Sequence, residues 1–342
     1  MALLDQIDHP IVLAPMAGGP STPELAAAVA NAGGLASLAA GYLTPDALAD
    51  HIAGTRALTD RPFAVNLFAP EEPADPAVVA AYALELAPEA RRLGVPLGQP
   101  RSDGDHWQAK CRDLLAAPVG AVSFTFNCPA PLLIDTFHAV GTEVWVTITN
   151  PVEALAAIEA GADVLVAQGT EAGGHRGTWV DEDPIAAGIG TLALVQLLHD
   201  EFPATPIVAA GGIATGGGIA AVLAAGATAA ALGTAFLRCP EAGTERGHRI
   251  ALTGTEATIL TRAYTGRLAR GIGNRFSDEH HATAPSAYPE VHHLTAPLRA
   301  AARAKGDASV PNLWAGQAYS LAREEPAADV VARLADELAA AR

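Results

Sequence analysis

Basic residues are scarce in this chain: Lys and Arg number 21 against 37 Asp and Glu, for a net charge of −16. That balance argues against a nucleic-acid partner, because phosphate backbones are held by clustered Lys and Arg that displace counterions. Anionic small molecules stay open, since local dipoles can draw them in against the net charge. Cysteine is rarer still. Cys111, Cys128 and Cys239 are odd in number, far apart and without a C-x-x-C pair. They indicate neither a disulfide framework nor a zinc site, and they fit a reducing compartment. Long apolar runs are missing too: Gly, Pro or a charge interrupts each one before the roughly 18–20 residues of a membrane span. The opening MALLDQIDHP carries acids where a secretion signal would carry Lys or Arg. The expectation is a cytoplasmic protein with no membrane partner. Aromatics make up only 5%, so the core should be close-packed helices against strands of small residues. What the chain does have is apolar residues, 50% of its 342, enough to bury a large core.

From residue 10 to about 238, short apolar runs alternate with helical stretches. The runs predict strands at 11–14, 34–38, 63–67, 119–124, 143–148, 163–167, 206–210 and 228–232. Several are continuously apolar, as in parallel strands covered on both faces. Thr22-Pro23, Thr44-Pro45 and Asn150-Pro151 each put a capping residue before Pro at a helix start. Gly33, Gly161 and Gly226 each end a helix just before a strand. Eight strands alternating with helices fit a closed (β/α)8 TIM barrel or an open doubly wound sheet. The unusual polar and glycine clusters fall at the C-terminal ends of nearly all the strands, and the barrel builds its site there. An open sheet would gather them at one switch point. The expected fold is therefore α/β, a (β/α)8 barrel over 1–238. A helical insertion is expected at about 69–118, after strand three, and a helical lid region at 239–342.

Two glycine-rich turns carry the clearest chemical signal. Gly211-Gly212 follows strand seven and leads through Gly216-Gly217-Gly218 into a new helix; Gly233-Thr234 follows strand eight. Glycine lets backbone N–H groups approach an anion, and a helix N-terminus adds its dipole. The plainer explanation is tight turns in a Gly-rich protein, but barrel enzymes bind phosphate at these same two loops. After strand six comes Gln168-Gly169-Thr170-Glu171-Ala172-Gly173-Gly174-His175-Arg176-Gly177. The glycine pair gives a flexible or tightly curved backbone that projects His175 inward. Imidazole there suits proton transfer or anion stabilisation; spacing alone leaves a surface histidine equally open.

The stretches APMAGGPSTPELAAAVANAGGLA at 14–36, VAQGTEAGGHRG at 166–177 and AAGGIATGGGIAAVLAAGATAAALGTAF at 209–236 resemble the nitronate monooxygenases. TRAYTGRLARGIGNRF at 261–276, YPEVHHLTAPLR at 288–299 and LWAGQ at 313–317 extend the likeness, and GTAFLRCPE at 233–241 points to the class I branch. The resemblance implies FMN, with oxidation of an alkyl nitronate such as propionate 3-nitronate by O2 to a carbonyl compound and nitrite. It implies that Ala14, Pro15 and Met16 pass beneath the flavin through backbone contacts, and that Asn66 and Gln168 bond its ring edge or ribityl chain. Gly173, Gly212, Gly233 and Thr234 would hold FMN, the last three around its phosphate, and His175 would be catalytic. One departure is Asn127 in Phe126-Asn127-Cys128-Pro129, where the family pattern has Gly; that loop shapes the substrate pocket.

Other features read more plainly. His138 reads as a packing or surface residue. The pairs His280-His281 and His292-His293 lack metal-helix spacing, and no metal is expected. Tyr288 and Trp314 either wall the pocket or bury the C-terminal region against the barrel. Cys128 reads as packing. Three rival functions share the barrel: an NAD(P)H-dependent flavin reductase of quinones or enoyl thioesters, a phosphosugar isomerase or lyase without flavin, and a flavin-binding protein without turnover.

Overall fold

In the computed structural model, which describes residues 2–181 and 188–341, the expected barrel is present. Eight parallel strands form one sheet: β1 (Ile11–Leu13), β2 (Ala36–Ala39), β3 (Phe63–Phe68), β4 (Ala121–Thr125), β5 (Glu143–Ile148), β6 (Val164–Gln168), β8 (Ile207–Ala210) and β9 (Ala229–Leu232). β1 pairs with β9 at one edge. A parallel bridge from Val12 to Leu35 closes the ring on the other side, with Leu13 N donating to Leu35 O at 2.8 Å and Leu35 N to Ile11 O at 2.9 Å. The strands are buried on both faces because alternate side chains serve two cores. Ile11 and Leu13 face the helices, whereas Val12, Ala64, Trp145 and Val208 fill the barrel interior. The N-terminal segment plugs the lower end: Leu3 joins that interior cluster, and its N–H donates to Glu143 Oε1 at 2.6 Å.

The outer helices start as their caps predict. Thr22, Thr44 and Asn150 accept from Leu25, Ala47 and Glu153 N at the heads of α1 (Pro23–Asn31), α2 (Pro45–Leu58) and α6 (Pro151–Ala160). Each such cap is worth about 1 kcal/mol. Gly33, Gly161 and Gly226 take φ of +91°, +105° and +112° where the chain turns into the next strand. α4 (Trp107–Ala116), α5 (Pro131–Ala139), α7 (Thr191–Glu201) and α8 (Gly216–Ala224) continue the ring.

The boundary expected at residue 238 cuts through this ring. The eighth outer helix is α12 (Ala327–Ala341), at the far end of the chain, and it packs between α8 and α1. Its Val330, Val331, Leu334 and Leu338 belong to the main core. The 69–118 segment divides as well: α4 is a ring helix, while α3 (Pro76–Leu93) leaves the barrel to pack on α11 (Glu290–Ala304). These two helices, with Tyr264 and Phe276, make a second core above the strand ends. The C-terminal region is also not purely helical. β10 (Thr258–Thr261) and β11 (Ala269–Ile272) form an antiparallel ribbon, and β11 pairs in turn with β7 (Gly174–His175). Between these elements lie α9 (Arg246–Ala251) and α10 (Arg275–His280). Periodicity could not reveal the ribbon, because its strands (GH, TILT and ARGI) are short and are not continuous apolar runs set between helix signals, as the barrel strands are. Among the described residues, no helix is long and apolar enough to cross a membrane.

Candidate active site

One cavity of about 600 Å³ opens between the strand ends and the C-terminal cap. It is lined by all ten residues singled out from the sequence: Ala14, Pro15, Met16, Asn66, Gln168, Gly173, His175, Gly212, Gly233 and Thr234. Their hydrogen bonds define what each can still offer. Met16 N donates to Ser21 Oγ at 2.9 Å, Met16 O accepts from Ser21 N at 3.3 Å, and Ala14 N donates to Leu232 O at 3.0 Å. This segment therefore offers a ligand mainly its surface and the backbone carbonyls of Ala14 and Pro15. Asn66 Nδ2 is pinned by Ser123 Oγ at 2.9 Å and Thr125 Oγ1 at 3.0 Å, and Oδ1 accepts from no donor among the described residues. Gln168 is oriented the other way. Its Oε1 accepts from Gly177 N at 2.8 Å and Arg176 Nη1 at 3.1 Å, and Nε2 donates to His175 O at 3.0 Å. One Nε2 hydrogen remains as a donor.

The phosphate-loop expectation needs one correction. Gly211–Ala214 and Gly233-Thr234 reach the cavity, but Gly216–Gly218 do not. The head of α8 is already closed: Gly216 N donates to Glu337 Oε2 at 2.8 Å and Gly218 N to Thr215 Oγ1 at 3.1 Å. A Cβ at Gly216 would lie 2.3 Å from Leu338 N, so this glycine lets α12 approach. The head of α7 is closed likewise by Glu171, whose Oε2 accepts from Thr191 N and Oγ1, each at 2.9 Å. Anion-binding capacity therefore rests on the turns themselves. The N–H groups of Gly212, Ile213, Gly233 and Thr234 donate to no acceptor among the described residues. Gly212 takes φ +70°, a conformation that costs other residues more. Gly173 is required by its neighbours, since a Cβ would lie 2.5 Å from Ala315 C and Gly316 N.

His175 does not sit in a free loop. β7 holds its backbone against Ala269 of β11, and Arg176 N donates to Leu268 O at 2.8 Å. The imidazole Nε2 lies 3.0 Å from Thr265 Oγ1, which also lies 3.1 Å from the Arg267 carbonyl. If the Thr265 proton goes to that carbonyl, Nε2 carries the imidazole hydrogen and Nδ1 the lone pair. Burial, reinforced by Arg267 and Arg299, pulls His175 down to about 3. The ring is neutral at physiological pH. Around it stand Trp314 and Tyr288, each at 5.6 Å, Phe126 at 5.8 Å and Phe68 at 6.3 Å.

The structure decides the open cases. Trp314 lines the cavity. Tyr288 walls His175 and faces a smaller adjoining cavity, its hydroxyl 3.3 Å from Tyr42 Oη. In the 126–129 loop the unusual residue is Phe126, buried at φ +83° with Arg267 4.0 Å above its ring. Asn127 is exposed and caps Cys128 N at 2.8 Å. Cys128 packs against the core, and burial pushes its thiol up to about 11. His138 pairs with Asp163 at 2.8 Å, half-exposed at the helix side. His280 pairs with Glu85 and His293 with Asp103, while His292 stacks on Tyr42 at 4.2 Å. No group of three or more His, Cys, Asp or Glu among the described residues is arranged to hold a metal. The cavity-lining residues that were missed include Tyr42, Arg299 and Arg303, and Arg267 stands behind the wall over Phe126. The one signal for Tyr42 was an aromatic after Gly41 at the end of strand two. The arginines carry no local signal.

The chain is similar over nearly its whole length to several known proteins. A family model described as nitronate monooxygenase matches residues 2–337. A nitronate monooxygenase of Paraburkholderia phytofirmans is 44% identical, covering 97% of this chain and 93% of its own. One from Pseudomonas aeruginosa is 43% identical, covering 97% of each. The crystal structure of a nitroalkane oxidase from Streptomyces ansochromogenes superposes with a TM-score of 0.97 at 51% identity, over 99% of this chain and 98% of that one.

Proposed function

The chain belongs to the nitronate monooxygenase family, and on that premise we propose that it binds FMN non-covalently and oxidises alkyl nitronates with O2 to carbonyl compounds and nitrite. One observation carries this reading: the residues that the family likeness assigns to flavin and substrate all line a single cavity at the strand ends. The flavin supplies electron-accepting chemistry, while the protein supplies position and electrostatics. The unengaged N–H groups of Gly212, Ile213, Gly233 and Thr234 would hold its phosphate. Asn66 Oδ1 and the spare Gln168 Nε2 hydrogen would meet the ring edge or ribityl chain, above a floor of Ala14, Pro15 and Met16. The sequence carries no dinucleotide fingerprint, which favours FMN over FAD. Three unpaired thiols support a reducing, cytoplasmic setting.

His175 is the proposed catalytic group. A nitronate is already deprotonated, so a neutral imidazole need only orient it. A general base works best with a pKa near the working pH, and an imidazole held at about 3 is better matched to a preformed nitronate than to a neutral nitroalkane. The second reading, α-proton abstraction from a nitroalkane by His175 Nδ1, is favoured by the 51% identity to the nitroalkane oxidase. Nitrite release under air decides between them. Propionate 3-nitronate should turn over much faster than the neutral nitro compound; the reverse order would install the second reading, and no nitrite from either would overturn both. Chromatography of heat-released cofactor should recover FMN, and recovery of FAD would overturn that assignment.

A further inference from the structure

α11 crosses the top of the cavity and carries Arg299 and Arg303 one helical turn apart, so both reach the cavity wall. Arg299 is only 6% exposed. Its Nε donates to Thr295 Oγ1 at 3.1 Å, Nη1 to Asn312 Oδ1 at 3.2 Å, and Nη2 to His292 O at 2.9 Å, with His292 Nδ1 at 3.3 Å. Arg303 Nη2 donates to the same Asn312 Oδ1 at 2.7 Å. All these partners are neutral. No carboxylate among the described residues lies within ion-pair distance of either guanidinium. Glu245, the acid that acts electrostatically on Arg303, is bonded to the Gly247 and His248 N–H groups of α9. The contrast is Arg267, which lies over Phe126 next to His175 and is paired with Glu71.

Burying a charge without a counter-charge is costly, and a second like charge on the same acceptor adds to that cost. Burial, and then Arg303, lowers the proton affinity of Arg299, as this crowding requires. An incoming anion would relieve both charges together. Both arginines come from α11 above the cavity, whereas the proposed phosphate donors come from the strand-end turns at 211–214 and 233–234, and neither guanidinium hydrogen-bonds to those turns. Arg299 instead acts on His175 and holds His292, the ring stacked on Tyr42.

We propose that Arg299 and Arg303, held together by Asn312, bind a carboxylate on the tail of the nitronate and so determine substrate preference. The guanidinium fork matches a planar carboxylate in geometry as well as charge. This rests on the nitronate-oxidising reading above and assigns the tail-recognition residues within it. The test compares propionate 3-nitronate with propyl 1-nitronate, which has no carboxylate, using the full-length flavin-loaded protein. Arg303→Gln should raise KM for propionate 3-nitronate by roughly 10- to 100-fold, the worth of one charge-assisted hydrogen bond, and should affect propyl 1-nitronate far less. Arg299→Lys, which keeps charge and loses the fork, should show the same bias. Equal losses on both substrates, or no loss on either, would overturn the proposal. Succinate provides a readout free of turnover. It should raise the melting temperature of the wild type more than propionate does, and Arg303→Gln should abolish the difference. Failure of this succinate effect would sink the anion site even where nitrite is released. Succinate stabilisation without nitrite release would leave the site standing and remove the nitronate reading instead.

Discussion

The floor of the cavity is made by strand ends whose side chains are committed to neighbours: Asn66 to Ser123 and Thr125, Gln168 to Arg176, Gly177 and His175. The ceiling is made by residues from α11, the β10–β11 region and the segment around Trp314, and there the arrangement is different. Rings stand edge-on or tilted around His175, and two arginines keep only neutral partners among the described residues. The floor has a fixed hydrogen-bond pattern because each committed amide leaves one defined acceptor or donor. The ceiling holds its electrostatic imbalance in reserve for what binds beneath it. A barrel face can thus stay constant in geometry while the cap above it sets preference.

The sharpest way to break the floor is Gly212→Asp. A Cβ there would lie 2.9 Å from Glu171 Cβ, and the carboxylate would add like-charge repulsion to the phosphate. The expected outcome is complete loss of flavin with the far-ultraviolet circular dichroism kept; normal flavin content would show that the phosphate lies elsewhere. Between floor and ceiling, His175→Asn separates the two substrate types. Under the second reading, activity on a neutral nitroalkane should fall by about 10²–10⁴-fold, the usual worth of a general base, and activity on a nitronate by less, with flavin content unchanged. Equal losses would leave His175 no role as a base, and lost flavin would make it a cofactor ligand.

Ceiling variants should move kinetics without moving cofactor. Trp314→Leu removes one ring beside His175, where an aromatic contact is worth about 0.5–1.5 kcal/mol. A several-fold drop in kcat/KM at unchanged flavin content is expected; coupled loss of flavin would erase the distinction between the two surfaces.

Acidity should strike the ceiling as well. Burial holds His175 at about 3, His248 at about 4 and His292 at about 2, against 6.5 for a free imidazole. Between pH 6.5 and those values the unfolded chain takes up protons that the folded chain refuses. Stability present above about pH 6.5 is therefore lost as pH falls. The melting temperature should drop from pH 7 to pH 5, and His248→Gln should flatten that slope; an equal slope in the variant would rule out this source. The smallest effect belongs to His138→Ala, remote from both surfaces. Its half-exposed pair with Asp163 is worth at most about 1 kcal/mol, and nitrite kinetics should not change.

The barrel was legible in the sequence because its determinants are local. Apolar runs, a capping residue before Pro and glycine at a helix end each act within a few residues, so eight strands and three caps could be located from the chain alone. The floor residues were legible for a related reason: strand ends are where a barrel presents ligands, so Gln168, Gly212 and Gly233 stood out by position, and the family likeness added Asn66. Three things depended on the folded chain. α12 completes the ring from nearly a hundred residues beyond β9; its amphipathic pattern states that it packs, not against what. The Gly216–Gly218 run resembled an anion site until Glu337 and Leu338 arrived beside it. Arg299 and Arg303 resembled any other pair of helical arginines. Whether a charge is paired depends on which distant carboxylates come within reach, and chain order carries no measure of that distance.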